Sequence, residues 1–99
     1  MTYFMNTLEI QIDNKKGLGI EIPLPMAPLV LVKGAHGFVM CGYLNVEVAE
    51  KMGEAAAVVR GVKTIDDLLN ADIVAATSAA VQKGVSIGMT GREALSRLL

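Results

Sequence analysis

"LVLVKGAHGFVMCGYLN", residues 29–45, is the stretch whose reading decides the fold. Two apolar runs, "LVLVK" and "GFVMC", flank a glycine-bounded turn, "GAHG", with the composition of a hairpin. Both alternate sets of each run are apolar, as in strands covered on two sides. Asn45 then offers an N-cap to a short helix, "VEVAEKMG", which Gly53 stops. At Asn45 the chain passes from strand pairing to alternating helix and strand.

Upstream, Leu8, Ile10 and Ile12 alternate with Glu9, Gln11 and Asp13, and Leu18, Ile20 and Ile22 alternate with Gly19 and Glu21. Two period-2 segments around "NKKG" predict an antiparallel hairpin with one apolar face. Pro23, Pro25 and Pro28 interrupt ladder pairing and mark a rigid link or an edge. Downstream, "AAAVVRGV" reads as a buried strand and "TIDDLLN" as a short helix, with Thr64 and Asp67 at capping-box spacing. "DIVAAT" follows as a strand, "SAAVQKG" as a helix stopped by Gly84, and "VSIGM" as a last strand. "TGREALSRLL" is the terminal helix, with Thr90 and Glu93 again at capping-box spacing. Strands first, then alternation, predict an α+β fold, a two-layer α/β sandwich with an N-terminal hairpin region.

Composition bounds the assembly. The chain has 99 residues, 53% of them hydrophobic and 19% charged, and a formal net charge of −1. A domain this small has too much surface to hide that apolar content alone, so burial between subunits is expected, in a homo-oligomer of dimeric or tetrameric form. The greasiest stretch, "IPLPMAPLVLV", holds three prolines and ends at Lys33, too short for a membrane span. No secretory signal is read at "MTYFMNTLEIQID", and one cysteine forms no intramolecular disulfide, so a cytoplasmic protein is expected. No basic run stands out, and two Phe, two Tyr and no Trp leave little for base stacking, so nucleic-acid binding is not expected.

Four separated motifs, "APLVLV", "GFVMCGYLN", "GVKTIDDLL" and "GMTGREAL", resemble the YunC-like family, a small bacterial and archaeal domain without an assigned function. The resemblance covers most of the chain. It implies a single domain over residues 1–99, with residues 1–28 as a β region used for oligomerisation, in a tetramer, and residues 29–99 as the α/β core. It supplies no substrate and no catalytic residues.

Cys41 is the first candidate for chemistry. A reactive thiol needs a cation, a helix N-terminus or a nearby histidine, and Asn45 opens a helix four residues later. Gly42 permits the turn, and Tyr43 or Asn45 could supply a hydrogen bond. Equally, Cys41 shares a strand face with Val39 and reads as a small core side chain. His36, the chain's one histidine, lies five residues away along an extended arm, too far to form a dyad there. One His and one Cys without ligand spacing give no metal site, and no cofactor is implied. The second candidate is "GMTGR": Gly88 and Gly91 let a ligand approach the backbone, Thr90 offers a hydroxyl, and Arg92 can grip two oxygens of a small anionic metabolite. "GVKT" has a similar composition without being a Walker loop. Capping explains the hydroxyls and acids of both segments as well as binding does. Three classes of function follow: a small-molecule-binding or regulatory module, a small enzyme using Cys41, and an assembly domain.

Overall fold

A computed structural model describes residues 5–99. One mixed sheet carries the molecule. Its strands are β1 (Asn6–Ile12), β2 (Lys15–Ile22), β3 (Leu29–Lys33), β4 (Phe38–Met40), β5 (Ala56–Val58) and β6 (Ala75–Ala76), hydrogen-bonded in chain order. All neighbours are antiparallel except β4 and β5, which are parallel. A parallel pair needs a crossover, and α1 (Val46–Met52) supplies it. The remaining helices are α2 (Ile65–Asn70), α3 (Ser78–Gln82) and α4 (Gly91–Ser96). The α+β fold expected from the sequence is the fold observed.

Strand register sorts the side chains into two faces. Val30, Val32, Val39 and Ala57 point into the main core, beneath Leu68 of α2, Ala80 of α3, and Ala94 and Leu95 of α4. Met40, Ala56 and Val58 point the other way, onto Ala49 of α1. The main helical layer therefore lies on one face, and α1 covers part of the other. The outer face of β2 and β3 has no such helix: Leu18 is 38% exposed, and Ile20, Ile22 and Leu31 are half-buried.

The N-terminal hairpin forms, but with a different turn and two apolar faces instead of one. Asp13 and Asn14 make the turn, with φ of 50° and 68°, the left-handed conformations a two-residue hairpin loop requires. Lys15 to Gly17 already belong to β2. Because Ile10 pairs with Gly17 and Leu8 with Gly19, even-numbered residues of β1 face odd-numbered residues of β2. The Leu8–Ile10–Ile12 row thus lies on the helix-covered face, beside Gly17 and Gly19, against which Leu99 and Ile65 pack. The Leu18–Ile20–Ile22 row lies on the opposite face. "VSIGM" is not a strand. Val85 packs into the core with its N–H on the Ala80 carbonyl, and Gly88 donates to Ile73. Only an isolated bridge, Asp72 with Thr90, follows.

Caps set the helix boundaries. Asn45 accepts from the N–H groups of Glu47 and Val48, and Gly53 closes α1 in the left-handed conformation. Thr64 accepts from Asp67 N–H, but Asp67 turns back to Lys63 N–H, so α2 carries half a capping box. The box on α4 is complete. Among the described residues, no helix is long and apolar enough to cross a membrane.

Candidate functional site

Cys41, Tyr43 and Asn45 follow β4, at the carboxyl ends of the parallel pair. Cys41 continues the ladder one residue past β4: its N–H donates to the Val30 carbonyl, and Val30 N–H donates to its Sγ at 3.4 Å. The side chain is 5% exposed and belongs to the main core. The Tyr43 hydroxyl is engaged, donating to the Ala27 carbonyl at 3.1 Å. The Asn45 side-chain oxygen is occupied by the α1 cap. A shallow hollow of about 280 Å³ touches Cys41, Gly42, Tyr43, Pro28 and Gly61, without a cationic side chain in its lining. Buried, and in contact with Val30, the thiol behaves as a small apolar group. Native Cys41 is therefore expected to resist alkylation at neutral pH and to react at the free-thiol rate only once denatured. Mass spectrometry of iodoacetamide-treated protein checks this, and fast labelling of folded protein would contradict it.

The "GMTGR" segment brings Gly88, Thr90, Gly91 and Arg92 together at the start of α4, with Arg92 exposed and the donors of Gly88, Thr90 and Gly91 already in use. Gly88 N–H goes to Ile73, and Gly91 N–H goes to Ala71. The N–H and hydroxyl of Thr90 both reach Glu93 Oε1, at 3.1 Å each, and Glu93 N–H returns to Thr90 Oγ1. These Thr90 donors hold the Glu93 carboxyl below its ordinary range, more than the nearby Arg97 charge does. Gly91 itself is buried against the Leu68 carbonyl of α2. The carboxylate of Glu93 fills the place an incoming anion would take.

A larger hollow lies at the other end of the β3–β4 hairpin. It is a groove of about 530 Å³ between the 34–37 turn, the start of β5 and α3. Its apolar wall includes Leu31, Phe38 and Ala79, and Lys33, His36 and Lys83 bring nitrogen donors. Glu54 is the one carboxylate in the lining. Among the described residues neither lysine has a carboxylate within 4.0 Å. The turn that carries His36 is tied down, with His36 N–H on the Leu98 carbonyl at 2.9 Å and Gly34 N–H on Gly37 at 2.8 Å. Below the groove, Thr77 is 1% exposed; its hydroxyl donates to the Glu54 carbonyl and accepts from Ala56 and Ala80 N–H. Sequence reading treats "GAHG" only as a hairpin turn. Lys83 lies far along the chain, and only the sheet order brings it to that turn.

These features define a class: a small α+β domain in which one β–α–β crossover extends an antiparallel sheet, with a groove at a hairpin tip. The family described as a domain of unknown function (DUF1805) matches residues 40–98. An uncharacterised protein of Bacillus subtilis (strain 168), YunC, is 35% identical over 99 residues, covering 96% of this chain and 98% of its own. The crystal structure of a protein of unknown function from Thermoplasma acidophilum, TA1206, is similar at a TM-score of 0.91 and 38% identity, over 99% of this chain and 100% of that one. The chain belongs to the YunC-like, DUF1805 family.

Proposed function

We propose that this chain is a small-molecule-binding module that works as a homo-oligomer. The observation that carries the reading is one of position: the groove at the hairpin tip and the helix-free outer face of β2 and β3 share Leu31. A groove of about 530 Å³ falls within the ordinary range for metabolite sites, roughly 300–1,000 Å³. The outer face continues into exposed apolar side chains on and around α1, among them Val48 and Met52, the latter 72% exposed. A contiguous apolar surface of that kind marks an association site, and a second copy of the same chain matches it without any other partner. The N-terminal hairpin contributes the Leu18–Ile20–Ile22 row to that face. In such an assembly, ligand contacts at Leu31 and subunit contacts at Leu31 are neighbours, which couples occupancy to association.

Light scattering of the purified protein tests the assembly. The expected mass is a multiple of the 10.5 kDa chain, and Leu31→Asp is expected to reduce it to a single chain. A wild-type monomer at millimolar concentration would remove the oligomer from the proposal. A thermal-shift screen of small metabolites tests the binding half, since a ligand that prefers the native state raises the unfolding temperature.

A further inference from the structure

We infer that the groove at the hairpin tip takes a small organic anion, a single carboxylate or phosphate on a short apolar body, held by Lys33 and Lys83 with His36 as a further donor. This rests on the binding reading above and names the class of ligand. The chain as a whole carries a net charge of −1, yet this groove gathers two lysines and a histidine against one carboxylate. The local excess is positive where the protein is not. Neither lysine is engaged in an ion pair among the described residues, so binding an anion breaks no existing salt bridge.

The shape is set before a ligand arrives. Gly37 sits so close to β5 that a Cβ there would lie 2.3 Å from the Ala55 carbonyl oxygen. With His36 N–H bonded to Leu98, the turn is held against the body of the protein, and His36 lines the groove from a fixed backbone. Leu31, Phe38 and Ala79 give an apolar body somewhere to lie. Glu54 sets the charge limit: a polyanion would meet its carboxylate, whereas a ligand with one anionic end can keep that end beside the lysines. The expectation of an anion drawn from "GMTGR" thus finds a better-equipped place, where the cations are not shadowed by a capping carboxylate.

The test is calorimetric titration and thermal shift on the full chain, with inorganic phosphate, butyrate and glycerol phosphate as probes at constant ionic strength. Butanamide and glycerol serve as neutral counterparts. The expected result is binding of at least one anion and not of its neutral counterpart, weakened about tenfold or more by Lys33→Ala and again by Lys83→Ala. Lys63→Ala, outside the groove, is expected to leave the affinity unchanged. Since both groove lysines are exposed, the unliganded melting temperature monitors folding of each variant. Equal binding of neutral and anionic probes, abolished by Phe38→Ala, would overturn the anion and leave the binding module standing. Anion binding that survives the double lysine variant would also overturn it. No binding of any probe would overturn both.

Discussion

Gly91→Ala is expected to destabilise the fold by about 3 kcal/mol, the upper part of the range for overpacking a well-filled core. Helix propensity alone predicts the opposite sign, since alanine is favoured over glycine in a helix by about 1 kcal/mol. The structure decides between them. Gly91 opens α4 where that helix crosses α2, and a Cβ there would lie 2.0 Å from the Leu68 carbonyl oxygen and 3.0 Å from its carbon. Both obstacles are backbone, which cannot rotate away as a side chain would. Relief requires α4 to lift from α2, opening the contact between Leu68 and Leu69 and the Ala94–Leu95 side of α4, all buried. It also strains the bond from Gly91 N–H to the Ala71 carbonyl, 2.8 Å long. Urea unfolding of the two proteins measures the difference. A variant as stable as wild type, or more so, would mean that α4 shifts at little cost and that the packing argument is wrong.

The same glycine shows why the site was only partly legible in the sequence. "GMTGR" reads equally well as a cap and as an anion cradle, because Gly, Thr and Arg serve both. What separates the readings is where the amide hydrogens go. Those of Gly88 and Gly91 are bonded to Ile73 and Ala71, partners from the α2–β6 connection that no local pattern reveals. Caps, by contrast, are local events, and Asn45, Gly53, Thr64 and Thr90 act at the positions their spacing predicts. The two apolar rows of the hairpin are local too, but their relative facing depends on loop parity. A two-residue turn at Asp13–Asn14 pairs even positions with odd ones, so Leu8–Ile12 and Leu18–Ile22 must face opposite ways. That opposition leaves an apolar row outside the helical layer. It gives the excess hydrophobic content noted in the sequence a specific location. The groove was illegible for the opposite reason: Lys33 on β3 and Lys83 at the end of α3 lie far apart in the chain and meet through the sheet order. "VSIGM" misleads because Val85 and Gly88 satisfy their backbone through Ala80 and Ile73 instead of a ladder.

Thr77→Val is expected to cost about 3 kcal/mol, and its reason lies under the groove. The hydroxyl of Thr77 is a junction. It donates to the Glu54 carbonyl at 2.7 Å and accepts from Ala56 N–H at 3.0 Å and Ala80 N–H at 3.3 Å. Valine keeps the shape and removes all three partners. Losing the N-cap of α3 costs about 1 kcal/mol, and each buried backbone group left unpaired adds about 1–3 kcal/mol. Ala56 is fully buried at the start of β5, so water cannot replace the lost acceptor. For a domain of this size each kcal/mol lowers the melting temperature by about 4–8 °C, so the fall is expected to exceed about 10 °C. Thr77→Ser, which restores the hydroxyl without the methyl, separates the hydrogen bonds from packing and is expected to recover most of the loss. A Thr77→Val protein that melts within about 2 °C of wild type would show that these bonds contribute nothing net. Because Glu54 and Ala55 line the groove directly above this junction, the variant also tests the ligand reading. If it remains folded, the valine protein should bind the anionic probe more weakly, since Glu54 and the first residues of β5 are no longer fixed against α3.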